Sequence, residues 1–339
     1  MTARLVPTAA LALLAALAGC TGDSGPAPDD NLLSIVHVTA GGTLEDGGFT
    51  ADAEAALDRL RADGHRTQTV EAAADPAALK AAVEQASDNW GIVVGSSELA
   101  AAVQEVAPAH PDQRYIVYGA AVAEPNVASI AYRQNEGGFL AGVLAALVTT
   151  APDGFPHATG SRDIAVVGGA DSLAVQDCLA GFKAGVHAVD PSIPIQTAFI
   201  GDSKDADKAY SIARSLYLDN NADVIFQLAG PAGAGVFKAA AETGRYAIGS
   251  GAGENAAAAG HVLASAFAKA GDGLYMAVQA VETGTLVWGS TTSYGLAQGV
   301  VVLSYDDNSA IVPQGVQDQV ADFAKQISEY KLYVPSALR

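Results

Sequence analysis

The chain has 339 residues, 50% hydrophobic and 16% charged, enough for two lobes of about 120–150 residues with cores of their own. Lys and Arg number 18 against 37 Asp and Glu, a net charge of -19. So acidic a surface repels nucleic acid and anionic lipid, and no basic cluster offsets it, which excludes nucleic-acid binding.

The chain opens MTARLVPTAALALLAALAGC, with one Arg, an apolar run from Ala9 to Ala18, and then Gly19-Cys20. A charged start and a short apolar core predict a signal peptide over residues 1–19 rather than a membrane span. Leu17-Ala18-Gly19-Cys20 is similar to a bacterial lipobox, which implies that Cys20 is diacylated and becomes the first mature residue. An ordinary signal with a chance cysteine is the alternative. Cys178 is then the one cysteine left, so no internal disulfide is expected. Residues 20–31, rich in Gly, Pro and Asp, read as a flexible lipidated tether.

From Leu32 on, apolar runs and helical patterns alternate. Strands are expected at 32–38, 67–72, 92–97, 115–120 and 126–132, with helices at 51–63, 75–86 and 98–106 between them. The pattern then restarts with a helix at 135–147, a strand at 164–169, a helix at 173–189 and a strand at 195–200. Next come a helix and a central unit over Ala222 to Ser250. That unit runs from Val224-Ile225-Phe226 through a glycine turn and a helix ended by Gly244 to Tyr246-Ala247-Ile248. A strand at 262–268, a helix at 274–284, short strands and a helix at 316–326 complete the chain. Alternation of this kind predicts parallel, doubly wound sheets that bring strand ends and helix N-termini to one edge, where small ligands bind. The ends near Gly41, Ser97, Gly119, Gly169, Gly230 and Ser250 are expected at that edge.

Five segments, in order, carry a resemblance: NVASIAYRQNEGGFLAG, ADVIFQLAGPAGAGVF, GRYAIGS, VLASAFAKAGDGLYMAV and YGLAQGVVVLS. Together they resemble the basic membrane lipoprotein family, the PnrA-like substrate-binding proteins of ABC transporters, over nearly all of residues 32–335. The resemblance implies an α/β periplasmic-binding-protein type I fold, with two Rossmann-like lobes, a three-segment hinge and ligand in the cleft. It places 32–133 plus 262–287 in lobe one and 134–261 plus 288–339 in lobe two. It also implies a small-molecule ligand, an ABC permease as partner, a membrane held through the N-terminal lipid, and a place on the outer face of the bacterial cell membrane. A lipid-anchored sensory or scaffold protein with a degenerate pocket is the alternative.

Carried over residue by residue, the family's nucleoside contacts are only partly present. In AGGTLEDGGFT, Glu45 and Asp46 fall on the acidic or amide contacts and Phe49 on the base-stacking aromatic, with Thr50 beside it. Core packing for Phe49 and helix capping for Asp46 are the plainer alternatives. Gly119 and Gly251 stand where two Asp are expected, Ala268 where a lysine is expected, and Cys178 where a second ring is expected. Gly230 is kept. Ser96, Ser97, Tyr118, Asp177, Ser250 and Glu254 lie near the same edge as possible replacements, and Lys269 adjoins Ala268.

No phosphate-binding loop, nucleophile elbow or zinc motif occurs, and the six His are scattered. No catalytic residue, metal or cofactor is therefore expected. In GDSKDAD the aspartates lack calcium-loop spacing and are expected to cap the following helix.

Overall fold

The computed structural model describes residues 32–41, 48–306 and 310–338. Cys20, Glu45, Asp46, the signal segment and the tether lie outside the described residues. From Leu33 on the chain forms one compact unit, with two six-stranded sheets.

The first lobe begins with β1 (Ser34–Ala40), α1 (Phe49–Ala62), β2 (Arg66–Ala72), α2 (Pro76–Ser87), β3 (Ile92–Ser96), α3 (Ala100–Val106), β4 (Arg114–Tyr118) and β5 (Val127–Tyr132). Central strands such as β3 are buried at every position because helices cover both faces of a parallel sheet. The edge strand β2 alternates exposed and half-buried residues instead. The first cluster, with Ala53, Leu57, Leu60 and Ile116, packs one face of the sheet; the second, with Val36, Val83, Val103 and Val117, packs the other.

The chain crosses at Arg133 into α4 (Gln134–Thr150) and the second lobe. There it builds β6 (Ile164–Gly168), α5 (Leu173–Val189), β7 (Ile195–Phe199), α6 (Ala206–Leu218), β8 (Val224–Leu228), α7 (Gly233–Thr243), β9 (Tyr246–Gly249) and β10 (Val262–Ala268). Side-chain caps start these helices where the sequence offers them: Ser172 accepts from the Val175 amide and Asp205 from the Lys208 amide. The GDSKDAD aspartate thus does cap α6. Gly244 ends α7 in the left-handed region at φ +64, which suits a residue without Cβ.

The chain then returns for α8 (Ala270–Glu282) and β11 (Thr291–Tyr294), and crosses once more into β12 (Val301–Ser304) and α9 (Gln314–Ser328). Sheet order is β2-β1-β3-β4-β5-β11 in the first lobe and β7-β6-β8-β9-β10-β12 in the second. Among the described residues every pairing is parallel except β10 with β12. The two-lobed α/β expectation and its three crossings are met.

The allotment of segments differs from the expected one. Residues 262–268 do not join lobe one: β10 pairs with β9 and β12 in the second sheet. Residues 291–294 do not join lobe two: β11 extends the first sheet beside β5. The crossings therefore fall at Lys269 and at 295–300, not at 261 and 287. Periodicity marks a strand but does not say which sheet edge its backbone finds. No helix among the described residues is long and apolar enough to cross a membrane.

Candidate functional site

A cavity of about 130 Å³ opens where the two lobes meet. Phe49, the first residue of α1, supplies its first-lobe wall. The second lobe supplies the rest: Gln134 and Gly137 from the start of α4, Val175 and Cys178 from the start of α5, Leu228 and Gly230 after β8, Ser250 after β9, and Ala268 at the end of β10. These are the carboxyl ends of parallel strands and the first turns of the helices that follow, where doubly wound folds bind ligands.

Phe49 sits edge-on to Tyr132, with ring centroids 5.1 Å apart and planes at 68°. This contact fixes the ring while leaving it partly exposed to the cleft. Gly119, at φ +80, lies beside it: a Cβ there would stand 3.7 Å from the Ser97 Cβ and 3.8 Å from the Phe49 Cδ2. Phe49, Ser97 and Gly119 therefore do converge on the first-lobe rim.

Thr50 does not reach the cleft surface. It is buried, and its side chain hydrogen-bonds the Tyr118 hydroxyl. The same hydroxyl lies 2.8 Å from His37 Nε2, and His37 Nδ1 lies 2.5 Å from Glu54 Oε1. Thr69 Oγ1 donates to Glu54 from 2.7 Å. If the imidazole gives its Nδ1 proton to Glu54, Nε2 is left to accept from Tyr118 and the phenol oxygen to accept from Thr50. Burial raises the Tyr118 pKa, so the phenol stays protonated. Burial pushes Glu54 upward, but the bonds from His37 and Thr69 outweigh it and hold its carboxyl below the usual range.

Across the cleft Cys178 is a free, buried thiol whose pKa burial pushes up to about 12. It presents a small apolar surface rather than a nucleophile. Gly251 adjoins Ser250, and both amides point at one carboxylate: Glu254 Oε2 accepts from Ser250 N at 2.7 Å, Gly251 N at 3.0 Å and Gln227 Nε2 at 2.7 Å. A Cβ at Gly251 would come 3.0 Å from Glu254 Oε1. The Glu254 carboxylate thus occupies the space a side chain at 251 would enter. Burial raises its pKa against these three bonds.

Two of the possible replacements face elsewhere. Lys269 lines a separate depression with Ser304, Tyr305 and Asp306, whereas Ala268 lines the cleft. Asp177 turns to the C-terminal tail, where its Oδ1 accepts from Ser336 Oγ at 2.6 Å and Ala337 N at 2.8 Å. Cavity-lining residues that sequence reasoning missed include Gln134, Gly137, Val175, Leu228, Ala266 and Val301. A signal for Ala174 and Val175 was available, since they open a helix capped by Ser172 directly after the β6 turn. No group of three His, Cys, Asp or Glu suited to a metal occurs among the described residues.

Two parallel-sheet lobes joined by three crossings, with a cavity between them at the strand ends, define a periplasmic-binding-protein type I architecture. The chain belongs to the family described as Bmp, ABC transporter substrate-binding protein PnrA-like, whose model matches residues 33–336. That family is one of binding proteins, not enzymes. The "CD4+ T-cell-stimulating antigen" of Listeria monocytogenes is 34% identical over 137 residues, 40% of this chain and 35% of the relative's length. The "ABC transporter nucleoside-binding protein BmpA" of Lactococcus lactis is 26% identical over 99% of this chain and 100% of its own. Among solved structures, an ABC transporter solute-binding protein from Conexibacter woesei superposes with a TM-score of 0.72 at 24% identity, over 90% of this chain and 100% of that one. A Caulobacter myo-inositol-binding protein superposes at 0.58 and 18% identity, over 88% and 100%. These structural likenesses establish the fold.

Proposed function

We propose that the protein is an extracytoplasmic solute-binding lipoprotein that closes its lobes on a small ligand and presents the closed form to an ABC permease. The observation that carries this reading is the cavity between Phe49 and the second-lobe strand ends, in a molecule whose two sheets are joined by three chain crossings. A ligand that touches both walls binds the closed form better than the open one, and only such a difference shifts the equilibrium. Phe49, Ser97, Gly119, Cys178, Gly230 and Gly251 form the proposed ligand site, with Thr50 behind it; Glu45 and Asp46, which precede Phe49 in sequence, are proposed to belong to it as well. A nucleoside-like ligand is supported by the name of the Lactococcus relative and by the retained aromatic. The glycines at 119 and 251 and Ala268 weigh against the nucleoside being held by the same side chains.

Native mass spectrometry of the purified protein, followed by small-angle scattering with and without the recovered compound, tests the reading. A bound compound that reduces the radius of gyration is expected. An empty cleft with no closure would favour a sensory or scaffold role instead. Anchoring is tested separately: Cys20→Ala is expected to leave the membrane fraction or remain unprocessed, and a variant that fractionates and migrates like the wild type overturns the lipoprotein reading.

A further inference from the structure

The end of the first lobe away from the cleft carries an arrangement that ligand binding does not use. The parallel register sets the starts of its strands side by side: Ser34 opposite Arg66, Ile35 opposite Ile92, Ile92 opposite Arg114 and Tyr115 opposite Val127. Gly289, just ahead of β11, donates its amide to the Val127 carbonyl and joins the same edge. The chain has two tryptophans, Trp90 and Trp288. Both stand at this edge, shortly ahead of β3 and β11. Each is stacked with an arginine from two strands away. The Arg66 guanidinium lies 4.0 Å from the centre of the Trp90 ring, across β1, and that of Arg114 lies 5.1 Å from Trp288, across β5.

These pairs lie at the surface. Arg66 and Arg114 are exposed, Trp90 and Trp288 are half-buried, and Val287 beside Trp288 is 64% exposed. Acids outnumber bases 37 to 18 in the chain, yet no carboxylate pairs with Arg66 or Arg114 among the described residues. A guanidinium stacked on a ring keeps its N–H edge open to a phosphate. Indole rings favour the headgroup level of a bilayer, where an apolar body and a polar N–H both find partners. Acids share the edge as well: Asp88 faces His110 at 4.0 Å, Glu282 faces His65 at 3.3 Å, and Asp112 precedes Gln113. The edge is therefore amphipathic rather than basic, which suits a zwitterionic surface better than an anionic one.

Connectivity points to the same partner. The chain enters β1 at this edge, where Leu33 N donates to His65 Nδ1 and Leu33 O accepts from the Arg66 amide. The stretch from Cys20 to Leu33 reaches at most about 47 Å when fully extended. The cleft rim stands about 23 Å further on, at the far end of the seven residues of β1. A lipid at Cys20 thus brings this end of the lobe to the bilayer before the cleft.

We propose that this edge is the surface on which the protein rests on its own membrane, with Trp90 and Trp288 at the headgroup level of zwitterionic phospholipid and Arg66 and Arg114 on lipid phosphates. The inference rests on the lipoprotein reading above. In this resting position the cleft faces away from the bilayer, and the linking stretch is long enough for the molecule to swing over to a permease.

Because Trp90 and Trp288 are the chain's two indoles, their fluorescence reads the contact directly. The mature lipidated protein is bound to phosphatidylcholine vesicles with and without a nitroxide on the lipid headgroup. Emission is expected to fall roughly twofold with the nitroxide. Trp90→Phe and Trp288→Phe each leave one indole, and both should keep that loss. The double variant Arg66→Glu, Arg114→Glu should stay on the vesicles through its lipid but be quenched far less, with the melting temperature unchanged because both side chains are exposed. Vesicle-bound protein that the nitroxide does not quench, a loss confined to one indole, or a double variant quenched like the wild type would each overturn the proposal. A dimer that the double variant loses would assign the edge to a second copy of the chain and overturn it too. Wild-type protein that does not bind the vesicles would overturn the lipid anchor, and this contact with it.

Discussion

At the scale of single residues, the cleft relies on a small number of side chains held by others. Phe49 makes an edge contact with Tyr132 and lines the cavity, so truncation removes a pre-positioned face. Phe49→Ala is expected to weaken the recovered ligand by about 1 kcal/mol or more, the scale of an aromatic contact beyond its area. Calorimetry showing no change would remove Phe49 from the site. Beneath the rim, Glu54 is bonded to His37 and Thr69 and has a lowered pKa. A carboxyl depressed on folding contributes stability that is present above its unfolded pKa, about 4.3, and is lost as pH falls through the folded value. The difference in urea midpoint between wild type and Glu54→Gln should therefore hold from about pH 7 to pH 5 and shrink below about pH 4. A difference that grows on acidification would contradict this network.

At the scale of elements, α4 and α5 approach so closely that glycine is required at their contact. A Cβ at Gly181 would lie 1.9 Å from the Asn135 carbonyl oxygen, one at Gly142 2.1 Å from that of Phe182, and one at Gly185 2.0 Å from that of Phe139. Backbone cannot give way as a flexible side chain can. Gly181→Ala is expected to cost about 1–3 kcal/mol by overpacking, read as a lowered melting temperature, and to shift Cys178 and Gln134, which the same two helices bring to the cavity. An exposed helical glycine such as Gly315, where a Cβ meets nothing within 4 Å, should tolerate the same change. Equal behaviour at both positions would show that the helices are not packed this tightly.

At the scale of the whole molecule, the hinge is tied by one buried acid. Glu136 Oε2 accepts from the Leu296 amide at 2.7 Å and Glu136 Oε1 from Arg133 Nη1 at 3.4 Å, which links the first crossing to the third. Gly295 passes so close that a Cβ would stand 2.3 Å from Glu136 Oε2. Arg133 N also donates to Tyr294 O at 2.8 Å. Glu136→Ala leaves the Leu296 amide without its acceptor, at a cost of about 1–3 kcal/mol. It should also widen the distribution of lobe separations in scattering from the unliganded protein. An unchanged melting temperature and scattering curve would show that the other backbone contacts hold the hinge alone.

Much of this protein was determined by sequence alone. Strand and helix alternation, the glycine that ends α7, the Asp205 cap and the five family segments depend on local chemistry and on order along the chain, and all are read without coordinates. Phe49, Cys178 and Gly230 were also assigned to the cleft from the same reading, and they line the cavity. Tertiary structure decided the remainder. It placed β10 in the second sheet and β11 in the first, because a strand's partner is chosen by long-range backbone pairing that periodicity does not encode. It turned Lys269 away from the cleft and bound Asp177 to the tail, because side-chain direction depends on where an element ends and what packs against it. It also brought Glu254 into the space left at Gly251. Two residues three positions apart on a loop can exchange a carboxylate only once the fold has bent that loop, and the bend is set by the Ser250 and Gly251 amides that the carboxylate itself holds.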